Sequence, residues 1–77
     1  MEKVIVYTAP GCPYCLMVKN FLKQNNIKYE EIDISKDPSK VEYLLKKTGL
    51  RSVPITEIDD KVVIGYDIKK LKELLRL

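Results

Sequence analysis

The segment Lys3 to Thr8, KVIVYT, is the strongest constraint on how this chain folds. It is short, β-branched and apolar, which is the composition of a buried strand. Ala9-Pro10-Gly11 then breaks the chain. From Pro13 to about Asn25 the apolar residues Cys15, Leu16, Val18, Phe21 and Leu22 fall mostly at helical spacing, and Lys19, Asn20, Lys23 and Gln24 make the wet face. Gln24-Asn25-Asn26 ends that helix. Residues 27–34, IKYEEIDI, alternate like a strand without a clear inner face, which suits a sheet edge. Strand, helix and strand in this order make a right-handed crossover with parallel strands.

The remainder completes the layers. Asp37-Pro38-Ser39 opens a second helix with Pro at an early helical position. Val41, Leu44, Leu45 and Thr48 carry its inner face, and Gly49 is a suitable stop. VPITEI and KVVIG flank Asp59-Asp60, the pattern of a hairpin with a tight turn. Asp67 caps a last helix in which Ile68, Leu71, Leu74 and Leu75 share one face. That helix is basic and amphipathic, yet so small a domain needs its leucines for the core. The order is therefore βαβαββα: a single α/β domain over residues 1–77, with three layers and helices on both faces of one sheet.

Charge and composition exclude several classes. Fourteen basic residues against eleven acidic ones leave a scattered surplus of three, with no basic stripe that implies nucleic acid. No apolar run approaches the roughly 18–20 residues of a membrane span. Nor does the chain start like a secretory signal. A cytoplasmic location is the expectation, and there thiols are kept reduced and structural disulfides are rare.

Both cysteines lie in Cys12-Pro13-Tyr14-Cys15. As a staple, a disulfide closing four residues contributes about 2 kcal/mol before strain and joins neighbours on one helical turn. As a metal site, two cysteines and no histidine fall short of the four ligands structural zinc usually takes. The redox role has a mechanism. Gly11 marks the turn, Cys12 falls at the N-cap and Pro13 at the first helical residue, where a missing N–H is harmless. Free amides and the helix dipole then favour a thiolate on Cys12. Cys15 sits one turn in and can attack a mixed disulfide formed on Cys12, so Cys12 is the nucleophile and Cys15 the resolving thiol.

At these residues the chain resembles the glutaredoxin family. CPYC after a strand and at a helix mouth is similar to their active site, TGLRSVP to their Thr-Val-Pro segment, and IGYD to their Gly-Gly-x-Asp segment. The similarity is greatest to the short glutaredoxin-like proteins with a single Gly before an aromatic residue and Asp. It implies the thioredoxin-like fold, with a four-stranded mixed sheet in the order 2-1-3-4. It also implies a cis Val53–Pro54 bond, where base rates for X–Pro bonds favour trans. By the same resemblance, substrate or glutathione lies along Tyr14, Val53, Pro54, Gly65, Tyr66 and Asp67. Three departures stand out: Ile64 replaces a first Gly, Ile68 a second Asp, and Ala9 a Lys. Lys47 or Arg51 is a candidate replacement for that cation, and each also reads as plain surface charge.

The function these readings imply is dithiol–disulfide exchange, reducing protein or small-molecule disulfides through Cys12 and Cys15. The alternative is a dimer that carries an iron–sulfur cluster with glutathione. Expected partners are disulfide-containing proteins and a reductant, either glutathione or a flavoenzyme of the thioredoxin-reductase type. The chain is expected to be monomeric, with no resident cofactor or metal and no nucleic-acid or membrane partner.

Overall fold

In the computed structural model, which describes residues 3–77, β1 (Val4–Thr8) lies inside a four-stranded sheet. Its apolar composition is explained by that position, since both of its faces are covered. The edge strand β2 (Glu30–Asp33) runs parallel to it, reached through α1 (Pro13–Gln24). On the other side β3 (Ile55–Ile58) is antiparallel to β1, and β4 (Lys61–Ile64) is antiparallel to β3. The order is β2-β1-β3-β4, as the resemblance implies. Helix α2 (Pro38–Thr48) precedes the hairpin and α3 (Ile68–Leu75) follows it. Among the described residues no helix is long and apolar enough to cross a membrane.

Strand alternation sorts the side chains into two cores. Val4, Val6, Ile58 and Val63 face α1 and α3, where they meet Val18, Phe21, Leu22, Leu71 and Leu75. Tyr7 and Ile55 face α2 and meet Leu44, with Ile5, Ile32 and Val62 packed around them. Ile27 and Tyr29 join the first core and Ile32 the second, which resolves the ambiguous alternation of residues 27–34.

Helix ends follow the capping chemistry in the sequence. Asp37 accepts the Ser39 N–H at 3.2 Å with Pro38 behind it, and Gly49 ends α2 at φ 76°. Asp67 caps α3 by accepting the Lys70 N–H at 3.1 Å. Two elements differ from the sequence expectation. Asp33 repeats the Asp-x-Ser arrangement, accepting the Ser35 N–H at 2.9 Å, and so ends β2 one residue before the expected Ile34 with a 3₁₀ turn over Ile34–Lys36; β2 also starts at Glu30 rather than Ile27. The hairpin's first strand starts at Ile55 rather than Val53, because Val53–Pro54 is cis and precedes the ladder.

The α2 face also buries a carboxylate. Glu57 is 6% exposed and accepts from the Tyr7 hydroxyl at 2.9 Å and the Lys47 ammonium at 2.7 Å, with the Tyr43 hydroxyl as a third donor. Burial alone raises its carboxyl pKa, but Lys47, Tyr43 and Tyr7 outweigh that and hold it below the ordinary 4.5. Tyr7 is pushed well above the tyrosine range, first by burial and then by Glu57. The group links β1, β3 and α2. It also engages Lys47, which therefore does not serve as a free cation for a bound carboxylate.

Two stability predictions follow from these cores. Glu57→Gln leaves the Tyr7 and Tyr43 donors imperfectly matched and lowers unfolding free energy by about 1–3 kcal/mol at pH 7. Because the folded-state pKa is depressed, the unfolded chain binds the proton more readily. The contribution of Glu57 is thus complete above the ordinary 4.5 and is lost as pH falls through the lower folded value. Denaturant titrations at pH 7 and in acid check this: the gap between wild type and variant narrows on acidification. Separately, the Thr56 hydroxyl on the α1–α3 face is fully buried and has no hydrogen-bond partner among the described residues. Thr56→Val removes that orphan with little change of shape and raises stability by about 1 kcal/mol in the same titration.

Candidate active site

The site grows from the four residues between β1 and α1. Gly11 takes φ 72°, a left-handed turn that side-chain-bearing residues adopt at a cost. The chain then enters the helix with Cys12 as N-cap, in extended backbone, and Pro13 in the first turn. Cys12 Sγ accepts the Cys15 N–H at 3.2 Å, so a sulfur occupies the place usually taken by a serine or aspartate oxygen. The two cysteines form a disulfide, their Cα atoms 5.3 Å apart. Cys15 is 2% exposed while Cys12 is only partly covered. Cys12 is thus the more exposed of the two sulfur-bearing residues, and the first turn of α1 holds no acidic side chain to oppose negative charge there.

One wall beside the disulfide bounds an open cavity of about 500 Å³ that carried no sequence expectation, lined by Thr8, Cys12, Cys15, Leu16, Lys19 and Glu31 among others. Glu31 Oε2 accepts from both the Thr8 hydroxyl and the Lys19 ammonium at 3.0 Å. The Lys19 hydrogen bond is the main reason the Glu31 carboxyl is held below its ordinary pKa, with burial opposing and Thr8 assisting. Part of this wall carried a sequence signal, since Lys19 lies four residues after Cys15 on one helix face. Glu31 gave none, because its place depends on the parallel register that sets it beside Val6.

The remaining expected residues lie on the first turn of α1, on the Val53–Pro54 segment and on the turn between β4 and α3. Tyr14, on the first turn of α1, stacks on Tyr66 with ring centroids 6.4 Å apart and planes at 26°. Pro54 is buried after its cis bond, and Val53 is half-buried. The Gly65 N–H donates to the Pro54 carbonyl at 2.8 Å, so the turn after β4 is fastened to the cis-proline segment. Arg51 is exposed on the loop leading to Val53.

The glutaredoxin family model matches residues 4–63, from β1 into β4. The chain belongs to the glutaredoxin family. Glutaredoxin 1 of Rickettsia conorii is 38% identical over 69 residues, covering 87% of this chain and 68% of that protein. The crystal structure of the thioredoxin-like protein BC3987 superposes with a TM-score of 0.86 at 47% identity, over 94% of this chain and 99% of that one. A buckwheat glutaredoxin–glutathione complex superposes with a TM-score of 0.78 at 28% identity, over 94% and 68% respectively. The fold of this glutaredoxin is accordingly thioredoxin-like, and its reaction class is thiol–disulfide exchange.

Within the glutaredoxin, Gly65 and Asp67 have structural work independent of any ligand. Gly65 takes φ 75° and Asp67 holds the first turn of α3. Asp67→Ala removes that cap and lowers stability by about 1 kcal/mol, measured by thermal or denaturant unfolding of the oxidised protein. Asp67→Asn, which retains capping ability, leaves stability nearly unchanged.

Proposed function

We propose that this glutaredoxin reduces disulfides of proteins and small molecules with Cys12 as nucleophile and Cys15 as resolving thiol. The observation that carries the reading is the asymmetry of the pair: Cys12 caps a helix and is accessible, while Cys15 lies one turn in and is buried. In the reduced protein the helix N-terminus favours the Cys12 thiolate. That thiolate attacks one sulfur of the substrate disulfide, and the other leaves as a thiolate that takes up a proton. Cys15 then gives up its proton and attacks Cys12 Sγ, releasing the second substrate thiol and forming the Cys12–Cys15 disulfide. Two electrons have passed to the substrate, and a two-electron reductant restores the dithiol.

Glutathione or a flavoenzyme of the thioredoxin-reductase type supplies those electrons. Support for glutathione comes from the glutathione complex of the buckwheat relative and from the motif resemblance that assigns Tyr14, Val53, Pro54, Gly65, Tyr66 and Asp67 to the same groove. Support for a protein reductant comes from the departures at Ala9, Ile64 and Ile68, and from Lys47 being held by Glu57. The protein works as a monomer in the cytoplasm, without a resident cofactor or metal. Exchange is favoured over carriage of an iron–sulfur cluster because Pro13 and Tyr14 stand between the cysteines, where cluster carriers more often have other residues.

Activity toward a protein disulfide is the deciding measurement. Cys12→Ser falls to the uncatalysed background, and retained turnover in that variant defeats the assignment of the nucleophile. Cys15→Ser accumulates mixed disulfides visible by mass spectrometry. Turnover with glutathione and its reductase, set beside turnover with a thioredoxin-type reductase, identifies the electron donor.

A further inference from the structure

The surplus of positive charge is scattered along the sequence, but folding gathers it. Helices α1 and α3 pack on the same face of the sheet, where Val18, Leu22, Leu71 and Leu75 share one core. With the Asp67 cap and the residues after α3, these helices carry six basic and two acidic residues, while the rest of the chain carries eight and nine. This one layer therefore more than accounts for the net charge of +3. Lys19 is tied to Glu31. Lys23, Lys69, Lys70, Lys72 and Arg76 are exposed, and among the described residues none of them is in an ion pair.

The same layer borders the reacting sulfur. Cys12 caps α1, and the stacking of Tyr14 on Tyr66 brings the start of α3 beside the start of α1. Lys69 and Lys70 stand on the first turn of α3, at that end. Leu16 and Met17, directly after Cys15, are 57% and 42% exposed. Apolar surface with charge around it is the anatomy of a protein interface, an apolar centre inside a polar rim. Clustered charges of one sign also raise the encounter rate of an oppositely charged partner.

The occupant follows from chemistry. A bilayer surface requires an apolar face to insert, and α3 keeps Leu71, Leu74 and Leu75 against the core. A nucleic acid brings phosphate but no sulfur for Cys12 to exchange with. An acidic protein brings both negative charge and a disulfide. We propose that the α1–α3 layer is a docking surface for proteins whose reacting disulfide is set among acidic residues, and that it selects them by speeding encounter. This rests on the exchange reading above and names the chemistry of its partner. Because the cations are exposed, salt screens the attraction, so the selection is a rate advantage that salt removes.

The test uses the pre-reduced full chain and symmetric disulfides of three blocked peptides, Glu-Gly-Cys-Gly-Glu, Gln-Gly-Cys-Gly-Gln and Lys-Gly-Cys-Gly-Lys. Two electrons pass from the Cys12–Cys15 dithiol to each peptide disulfide, and two protons pass to the peptide thiols. The readout is the second-order rate of protein oxidation, followed by quenched alkylation and divided by the rate with the glutamine peptide. Comparing this ratio between chains cancels both the peptide's own reactivity and any general change at Cys12. From wild type to Lys69→Glu/Lys70→Glu the ratio for the glutamate peptide falls about tenfold in about 20 mM salt, and that for the lysine peptide rises. In about 0.5 M salt both changes shrink to about twofold or less. Carboxylates suit the first turn of a helix, so this variant does not threaten α3. A second variant, Lys3→Glu/Lys61→Glu, makes the same change of net charge at the opposite end of the sheet, and there the ratio moves about twofold or less.

An unchanged ratio in Lys69→Glu/Lys70→Glu overturns the docking surface. So does an equal fall in the distant variant, which reports net charge alone, or a fall that salt does not diminish. Retention of wild type in about 0.15 M salt by a short DNA duplex or by phosphatidylserine vesicles also overturns it, because the layer then serves another partner. If wild type oxidises with none of the peptides, the exchange reading itself has failed, which separates the two.

Discussion

Everything around the disulfide depends on how β1 hands over to α1. A central strand ends at Thr8 and a helix starts at Pro13, with four residues to turn between them. Gly11 supplies the left-handed step, and Pro13 fixes the first helical dihedral without sacrificing a needed donor. The residue left at the N-cap must then accept an amide, and here that acceptor is sulfur. Capping and reactivity are thus one arrangement: the N–H groups that require an acceptor are the same groups that stabilise negative charge on Cys12. Residue 15, one turn further, is turned into the core by the helical period that also buries Val18 and Leu22.

The opposite face answers a different need. A carboxylate at position 57 of a central strand requires partners for each of its lone pairs, since an unpaired buried charge is severely destabilising. Tyr7 from β1 and Tyr43 and Lys47 from α2 provide them. A buried ion pair of this kind is weak support for stability in itself. Its geometric effect is clearer. It fastens the C-terminal half of α2 to β3, the strand that begins directly after Pro54.

Much of this was readable from the chain because local and global signals agree. KVIVYT, Asp37-Pro38, Gly49 and Asp67 each specify one element boundary, and the structure places them there. The Cys12–Cys15 pair was legible from spacing and capping chemistry alone. What lay beyond spacing and capping was set by non-local register or by one peptide bond. Val53–Pro54 extends the apparent strand VPITEI in sequence, and the cis geometry rested on family resemblance rather than on any residue preference. Glu31 and Glu57 give no local sign of their partners, because nothing in the neighbouring sequence shows that Lys19 and Thr8, or Lys47 and two tyrosines, will converge on them. Lys47, conversely, was a candidate for ligand charge until its partner appeared across the α2 face.

Three positions contradict the rule that polar groups are satisfied and large apolar groups covered: Glu57, Thr56, and the pair Tyr14 and Tyr66. Such contradictions mark function only when nothing within the fold resolves them. Glu57 is resolved by three donors, which makes it architecture. Thr56 is an orphaned hydroxyl among valines and isoleucine, too enclosed to meet a ligand, so it is a small uncompensated cost. The tyrosines differ in kind. They are exposed, they are anchored from two separate elements, and the helix bearing one of them is capped by Cys12. Among the described residues no internal partner covers their outer surfaces as the three donors cover Glu57. Of the three, only the tyrosine pair leaves its uncovered surface in solvent, and one of its rings stands two residues after Cys12, so only there does the contradiction open outward rather than close within the fold.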